Sequence, residues 1–156
     1  MAELQVLVDA DACPVKEEVY RVALRHQVPV VIVANSYIRI PEHRLISRQM
    51  VTDGFDAADD WIVEQSGPTS LVISADILLA QRALAKGARV LAPTGKPFTD
   101  ASIGNAVAVR AIHADLRAGL GEGAPKGAAP FSKQDRSNFL NAMEVALVAL
   151  KKAAGG

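Results

Sequence analysis

The sequence predicts an α/β fold: three layers, with a mostly parallel central sheet of about five strands flanked by helices. Three observations carry that expectation. Short apolar runs alternate with stretches of helical periodicity along the whole chain. Half of the residues are apolar but only 4% are aromatic, so Leu, Ile, Val and Ala build the core, as layered α/β packing prefers. An apolar run ending in an aspartate, followed by a helix signal, occurs twice, as it would in parallel βαβ units with right-handed crossovers.

The elements follow in order. LQVLVD (4–9) reads as a strand buried on both faces. Pro14 suits the first turn of a helix in which Val15, Val19, Val22 and Ala23 share one face. VVIVAN (30–35) is a second strand, although Pro29 complicates its start. The basic stretch SYIRIPEHRLISRQM reads as a loop with a short helix after Pro41, and residues 50–53 as a third strand before a turn at Gly54. DAADDWIVEQSG (56–67) has acids in its first turn and Gly67 as its stop. TSLVISAD (69–76) is the fourth strand, ILLAQRALAKG (77–87) a helix closed by Gly87, and ARVLAP (88–93) the fifth strand. Residues 101–118 read as helical, and GLGEGAPKGAAP (119–130) as a flexible Gly/Ala/Pro linker, poorly ordered when the site is empty. Ser132 and Asp135 have capping-box spacing for a last helix over 132–152.

At 156 residues the chain suits one domain spanning 1–156. Seventeen Lys and Arg balance 17 Asp and Glu, so no global field draws the protein to a polyanion, and any such site is a local patch. The single cysteine excludes an internal disulfide, which fits a reducing compartment. MAELQVLVDAD lacks a basic n-region and an apolar h-region, and no apolar run approaches about 18 residues. A cytoplasmic protein without a membrane partner is expected.

The aspartates form the main constellation. In a parallel sheet, ligands bind outside the carboxyl ends of the strands. Asp9 and Asp11 follow the first strand, Asp76 ends the fourth, and Asp56, Asp59 and Asp60 open the helix after the third. Several carboxylates on one rim repel unless one is protonated or a cation sits among them. All-oxygen ligands select hard cations such as Mg²⁺ or Mn²⁺, and two such ions could hold a phosphodiester and generate a hydroxide. Each acid also has an ordinary structural role open to it. Asp56 and Asp76 could cap the helices they precede, and Asp59 and Asp60 could be first-turn acids favoured by the helix dipole. Asp9 sits inside the strand end, where a charge is poorly solvated, and fits those roles least.

VDADACPVK, GFDAADDWI, SADILLAQRALAKG, GKPFTD and PFSKQDRSNF together resemble the bacterial YaiI/YqxD family over nearly the whole chain. That family is placed among PIN-like domains, the fold of metal-dependent nucleases acting on RNA or structured DNA. The resemblance implies that the acid after the first strand is Asp9, with Asp11 added. It implies Asp56 for the acid opening the mid-chain helix, with Asp60 a turn later, and Asp76 for the acid after the fourth strand. Two places depart from the family pattern: Leu78 in the turn beside Asp76, and the long 119–130 linker.

Cys13 lies near a helix start, which can favour a thiolate, but two aspartates oppose that and no CxxC partner or histidine base adjoins it. Packing is its expected role. His26, His43 and His113 show no metal spacing and read as incidental. Lys16, Arg39, Arg44, Arg48 and Arg136 are the candidate phosphate or nucleic-acid contacts, with Tyr37 as a stacking ring. The leading expectation is a Mg²⁺- or Mn²⁺-dependent nuclease acting on RNA or another phosphodiester. One alternative is a DxD-type phosphatase with Asp9 as nucleophile, which the Cys13 position and the placing of Asp59 and Asp60 before Lys96 oppose. The other is a non-catalytic nucleic-acid or nucleotide-binding module.

Overall fold

The computed structural model describes residues 3–52, 57–104 and 131–155. Strand β1 (Gln5–Asp9) lies inside a six-stranded sheet. Its side chains alternate: Val6 and Val8 enter one core, Leu7 the other, and all three are fully buried. A strand buried on both faces must be apolar at every position, which is why LQVLVD shows no polar alternation. β2 (Val30–Ala34) and β4 (Ser70–Ile73) pair with β1 in parallel, placing Val6 opposite both Val30 and Leu71.

β3 (Ile46–Met50) extends the sheet beyond β2, and β5 (Arg89–Leu91) extends it beyond β4. The order is β3-β2-β1-β4-β5-β6, where β6 (Pro97–Phe98) is antiparallel to β5. The chain moves outward from β1 through β2 to β3, then returns to β1's other side for β4. That reversal makes the gap between the carboxyl ends of β1 and β4 the switch point where doubly wound sheets bind ligands.

Helices cover both faces, giving the three layers expected. α1 (Lys16–Arg25) and the long α4 (Lys133–Gly155) pack on one side, burying Val19, Val22, Phe139, Met143 and Leu147 with Val6, Val8 and Ile32. α2 (Ala57–Gln65) and α3 (Ile77–Ala85) pack on the other, burying Ala58, Ile62, Leu79 and Ala83 against Leu7 and Val72. The 132–135 capping box forms as its spacing predicts: Asp135 N–H donates to Ser132 Oγ, and Ser132 N–H donates back to Asp135 Oδ2. Among the described residues, no helix is long and apolar enough to cross a membrane.

Three expectations need correction. The third strand is Ile46–Met50, not 50–53, and no helix follows Pro41. As an edge strand, β3 buries only Ile46 and leaves Ser47, Arg48 and Met50 exposed, so its composition hides its conformation. β6 was not foreseen, because two residues carry no periodicity and proline is tolerated only at such an edge. Residues 100–104 are helical and begin with a second capping box, Thr99 with Ser102. The rest of the expected 101–118 helix and the 119–130 linker lie outside the described residues.

Candidate functional site

The chain leaves β1 through one 3-10 turn, Ala10–Ala12, before α1 begins. This turn sets Asp9 at the strand end and Asp11 just outside it. Asp9 is partly buried, and its Oδ2 accepts a hydrogen bond from Ser74 Oγ at 2.9 Å. Burial pushes the Asp9 carboxyl above its ordinary range, the Ser74 hydroxyl pulls it back, and the Asp11 and Asp76 carboxylates push it up again. The two neighbouring acids therefore act on Asp9 across the switch point.

Ser74 joins the two strand ends. It is 2% exposed, and besides donating to Asp9 it accepts the Asp76 N–H at 3.0 Å. Asp76 caps α3: its Oδ1 accepts from Leu78 N–H at 2.9 Å and Leu79 N–H at 3.1 Å. Leu78 is exposed and supplies only its backbone N–H there, so the departure from the family pattern leaves the cap intact. Asp11 Oδ2 is held by the side-chain amide of Asn35, which follows β2, at 2.9 Å. Asp9, Asp11 and Asp76 are thus each fixed by one oxygen. Asp11 Oδ1 and Asp76 Oδ2 have no hydrogen-bond partner among the described residues.

This arrangement has the oxygen chemistry of a hard-cation site, with protein donors orienting each acid from behind. Among the described residues, no three His, Cys, Asp or Glu side chains are close enough together to enclose an ion. Asp56, the expected fourth position, lies outside the described residues. Asp60 is turned away, with Oδ1 paired to Arg82 of α3 at 2.8 Å, and it is not among the charges acting on Asp9.

The family model described as "Uncharacterized BCR, YaiI/YqxD family" matches residues 7–149. The chain belongs to the YaiI/YqxD family. It is 64% identical over 147 residues to a UPF0178 protein of Sphingopyxis alaskensis, covering 94% of this chain and 95% of that relative. A UPF0178 protein of Nitrobacter winogradskyi is 52% identical over 154 residues, and one of Brucella ovis 55% over 150. These alignments cover 98% and 95% of this chain, and 96% and 91% of the relatives.

Within this YaiI/YqxD chain the expected cations separate into two groups. Arg136 is committed to structure: its Nη1 donates to Pro14 O at 2.8 Å and pairs with Glu18 at 3.1 Å, while its guanidinium lies over Phe131. Arg48 donates to Ile38 O and stacks 4.5 Å from the centre of the Tyr37 ring. Lys16, whose Nζ also donates to Cys13 O, and Arg39 line an open cleft, and Arg44 is exposed.

Cys13 packs in the core, and burial raises its thiol above the ordinary range, so packing is the role its surroundings support. His43 Nδ1 accepts the Leu45 N–H. His26 bridges α1 and α4. Lys151 Nζ, which can only donate, lies 2.9 Å from Nδ1, so Nε2 carries the proton and donates to Glu144 Oε2 at 2.9 Å. Arg25 pairs with the same carboxylate. His113 lies outside the described residues.

Sequence reasoning missed Ser74 and Asn35. Both end apolar strands beside β1, so the strand-end signal used for the aspartates was present for them too. It went unread because neither residue is ionisable.

Proposed function

We propose that the chain is a Mg²⁺- or Mn²⁺-dependent phosphodiesterase acting on RNA, a PIN-like nuclease of the cytoplasm, with Asp9, Asp11 and Asp76 as its cation-binding wall. The observation that carries this reading is the state of Asp9. A partly buried carboxylate at the switch point is pushed up by burial and by two like charges, although Ser74 stabilises its ionised form. A divalent cation would relieve the desolvation and the repulsion together.

Asp9, Asp11 and Asp76 would form one wall of the cation site rather than enclose the ion by themselves, with Asp56 as the family-pattern addition; Asp60, paired to Arg82, stays outside it. The bound ion supplies charge neutralisation at the phosphate and an acidified water. The chain's own residues fix the acids: Ser74 orients Asp9, Asn35 orients Asp11, and the α3 N-terminus orients Asp76. Net charge gives no long-range attraction for nucleic acid, so affinity must come from contacts beside the acids.

Calorimetric titration of Mg²⁺ and Mn²⁺ into the protein and into Asp9→Asn and Asp76→Asn tests the wall. Parallel assays use an unstructured oligoribonucleotide and p-nitrophenyl phosphate. Metal-dependent RNA cleavage lost in both variants is the expected result. Monoester turnover through a phosphorylated Asp9 would move the assignment to a phosphatase, and binding without turnover to a non-catalytic module.

A further inference from the structure

A cleft of about 530 Å³ is lined by Lys16, Glu17 and Tyr20 of α1 and by Arg39, Ile40, Pro41 and Glu42 of the β2–β3 connection. Its two walls are the two chain segments that hold Asp11. The α1 wall follows Asp11 in sequence and is tied back to the turn, since Lys16 Nζ donates to Cys13 O at 3.2 Å. The other wall belongs to the segment that starts at Asn35, whose amide grips the Asp11 carboxylate. Both walls thus follow in sequence from the contact between Asp11 and Asn35. The cleft's volume falls in the range of about 300–1,000 Å³ usual for small-ligand sites.

We propose that this cleft seats one nucleotide of a single-stranded RNA next to the phosphate addressed by the aspartates, with Arg39 and Lys16 on the backbone phosphate. This deepens the function proposed above and rests on it for the position of the scissile bond.

The lining chemistry selects this ligand over a bare anion. Arg39 has no ion pair or hydrogen bond among the described residues, unlike Arg48, Arg82 and Arg136. Its planar fork is therefore available for a phosphate. Glu17 and Glu42 line the same cleft and would repel free phosphate, but carboxylates accept hydrogen bonds from ribose hydroxyls and base amino groups. Tyr20 is buried along its ring, and its hydroxyl has no hydrogen-bond partner among the described residues. Burial drives that hydroxyl to about 12, so it stays protonated and serves as a neutral donor. Ile40 and Pro41 supply an apolar surface for a base face.

Fluorescence anisotropy of a labelled hexauridylate, measured in EDTA so that no metal-dependent cleavage occurs, tests the assignment. Arg39→Ala should weaken binding about tenfold and lower the slope of log K against log salt by about 0.7, one single-strand phosphate contact. Lys16→Gln should act in the same direction, and Arg39→Lys should restore part of the loss. Arg89→Ala, on exposed β5 surface, should bind as the wild type does. Hexadeoxyuridylate should bind more weakly than its RNA counterpart, and inorganic phosphate should not compete.

Absence of wild-type binding at low salt would overturn the proposal, as would an equal loss in Arg39→Ala and Arg89→Ala. Equal affinity for the deoxy strand would overturn the ribose contacts and with them the choice of RNA. Arg39-dependent binding without metal-dependent cleavage would leave the cleft assignment standing and remove the nuclease reading alone.

Discussion

Replacing Ser74 with alanine removes a side chain that hydrogen-bonds both Asp9 and Asp76. The hydroxyl is buried, donates to Asp9 Oδ2 at 2.9 Å and accepts the Asp76 N–H at 3.0 Å. Hydrogen bonds to charged groups contribute about 1.5–3 kcal/mol, and a backbone N–H left without its partner costs about 1 kcal/mol or more. Ser74→Ala should therefore destabilise the protein by about 2–4 kcal/mol, a large share of the roughly 5–15 kcal/mol typical of a domain. The charged part of that loss depends on Asp9 being a carboxylate. In an Asp9→Asn background the same substitution should cost about 1–2 kcal/mol less, a coupling well above the ~0.5 kcal/mol seen for independent sites. Urea unfolding at pH 7, followed by fluorescence of Trp61 on α2, the only tryptophan, measures all four corners of the cycle. A single-mutant loss below about 1 kcal/mol, or two additive substitutions, would refute the claim that Ser74 carries a charge-assisted bond to Asp9.

Two further outcomes follow from the same geometry. Because burial and neighbouring charges raise Asp9, the folded state keeps its proton to higher pH than the unfolded chain does. Asp9 thus contributes stability that is complete below the ordinary carboxylate range and lost as pH rises through its raised value. The difference between wild-type and Asp9→Asn stability should shift against the wild type over that window, and an unchanged difference from acid to neutral pH would contradict it. Gly95 has φ +92°, and a Cβ there would lie 2.7 Å from the Asn138 carbonyl carbon and 2.8 Å from its oxygen in the α4 backbone. Left-handed strain of about 1–2 kcal/mol and forced overpacking of about 1–3 kcal/mol should lower the melting temperature of Gly95→Ala by about 5–15 °C. Calorimetry showing a fall under about 2 °C would remove the close approach of the 94–96 turn to α4.

The fold was legible wherever burial dictated composition. β1, β2 and β4 are buried on both faces, so their apolar runs marked them, and α3 and α4 showed their stop and cap in sequence, whereas Pro14 stands before α1, whose N-cap is Val15, and not in its first turn. Legibility failed at the sheet edges. β3 mixes Ser, Arg and Gln with one buried Ile, and β6 is too short to carry a pattern.

The site divided in a similar way. Asp9, Asp11 and Asp76 were legible because the strand-end rule needs only strand assignments. Asp60 was placed on the rim by helical spacing, but spacing cannot show that Arg82 of the next helix takes its carboxylate. Arg136 read as a free cation because its partners, Pro14 and Glu18, are more than a hundred residues away in sequence. Tertiary pairing of this kind leaves no local trace, and it also explains how His26, with no motif around it, comes to join α1 to α4.

The central claim is that the half-buried Asp9 and its neighbours form a wall for a divalent cation. Calorimetric titration of Mn²⁺ into the wild type, Asp9→Asn and Asp76→Asn at pH 7 tests it most directly. Saturable binding to the wild type is expected, with a loss of at least about tenfold in affinity in each variant, on the scale of lost ligand orientation at metal sites. Wild-type protein that takes up no Mn²⁺, or variants that bind it as tightly as the wild type, would remove the cation site.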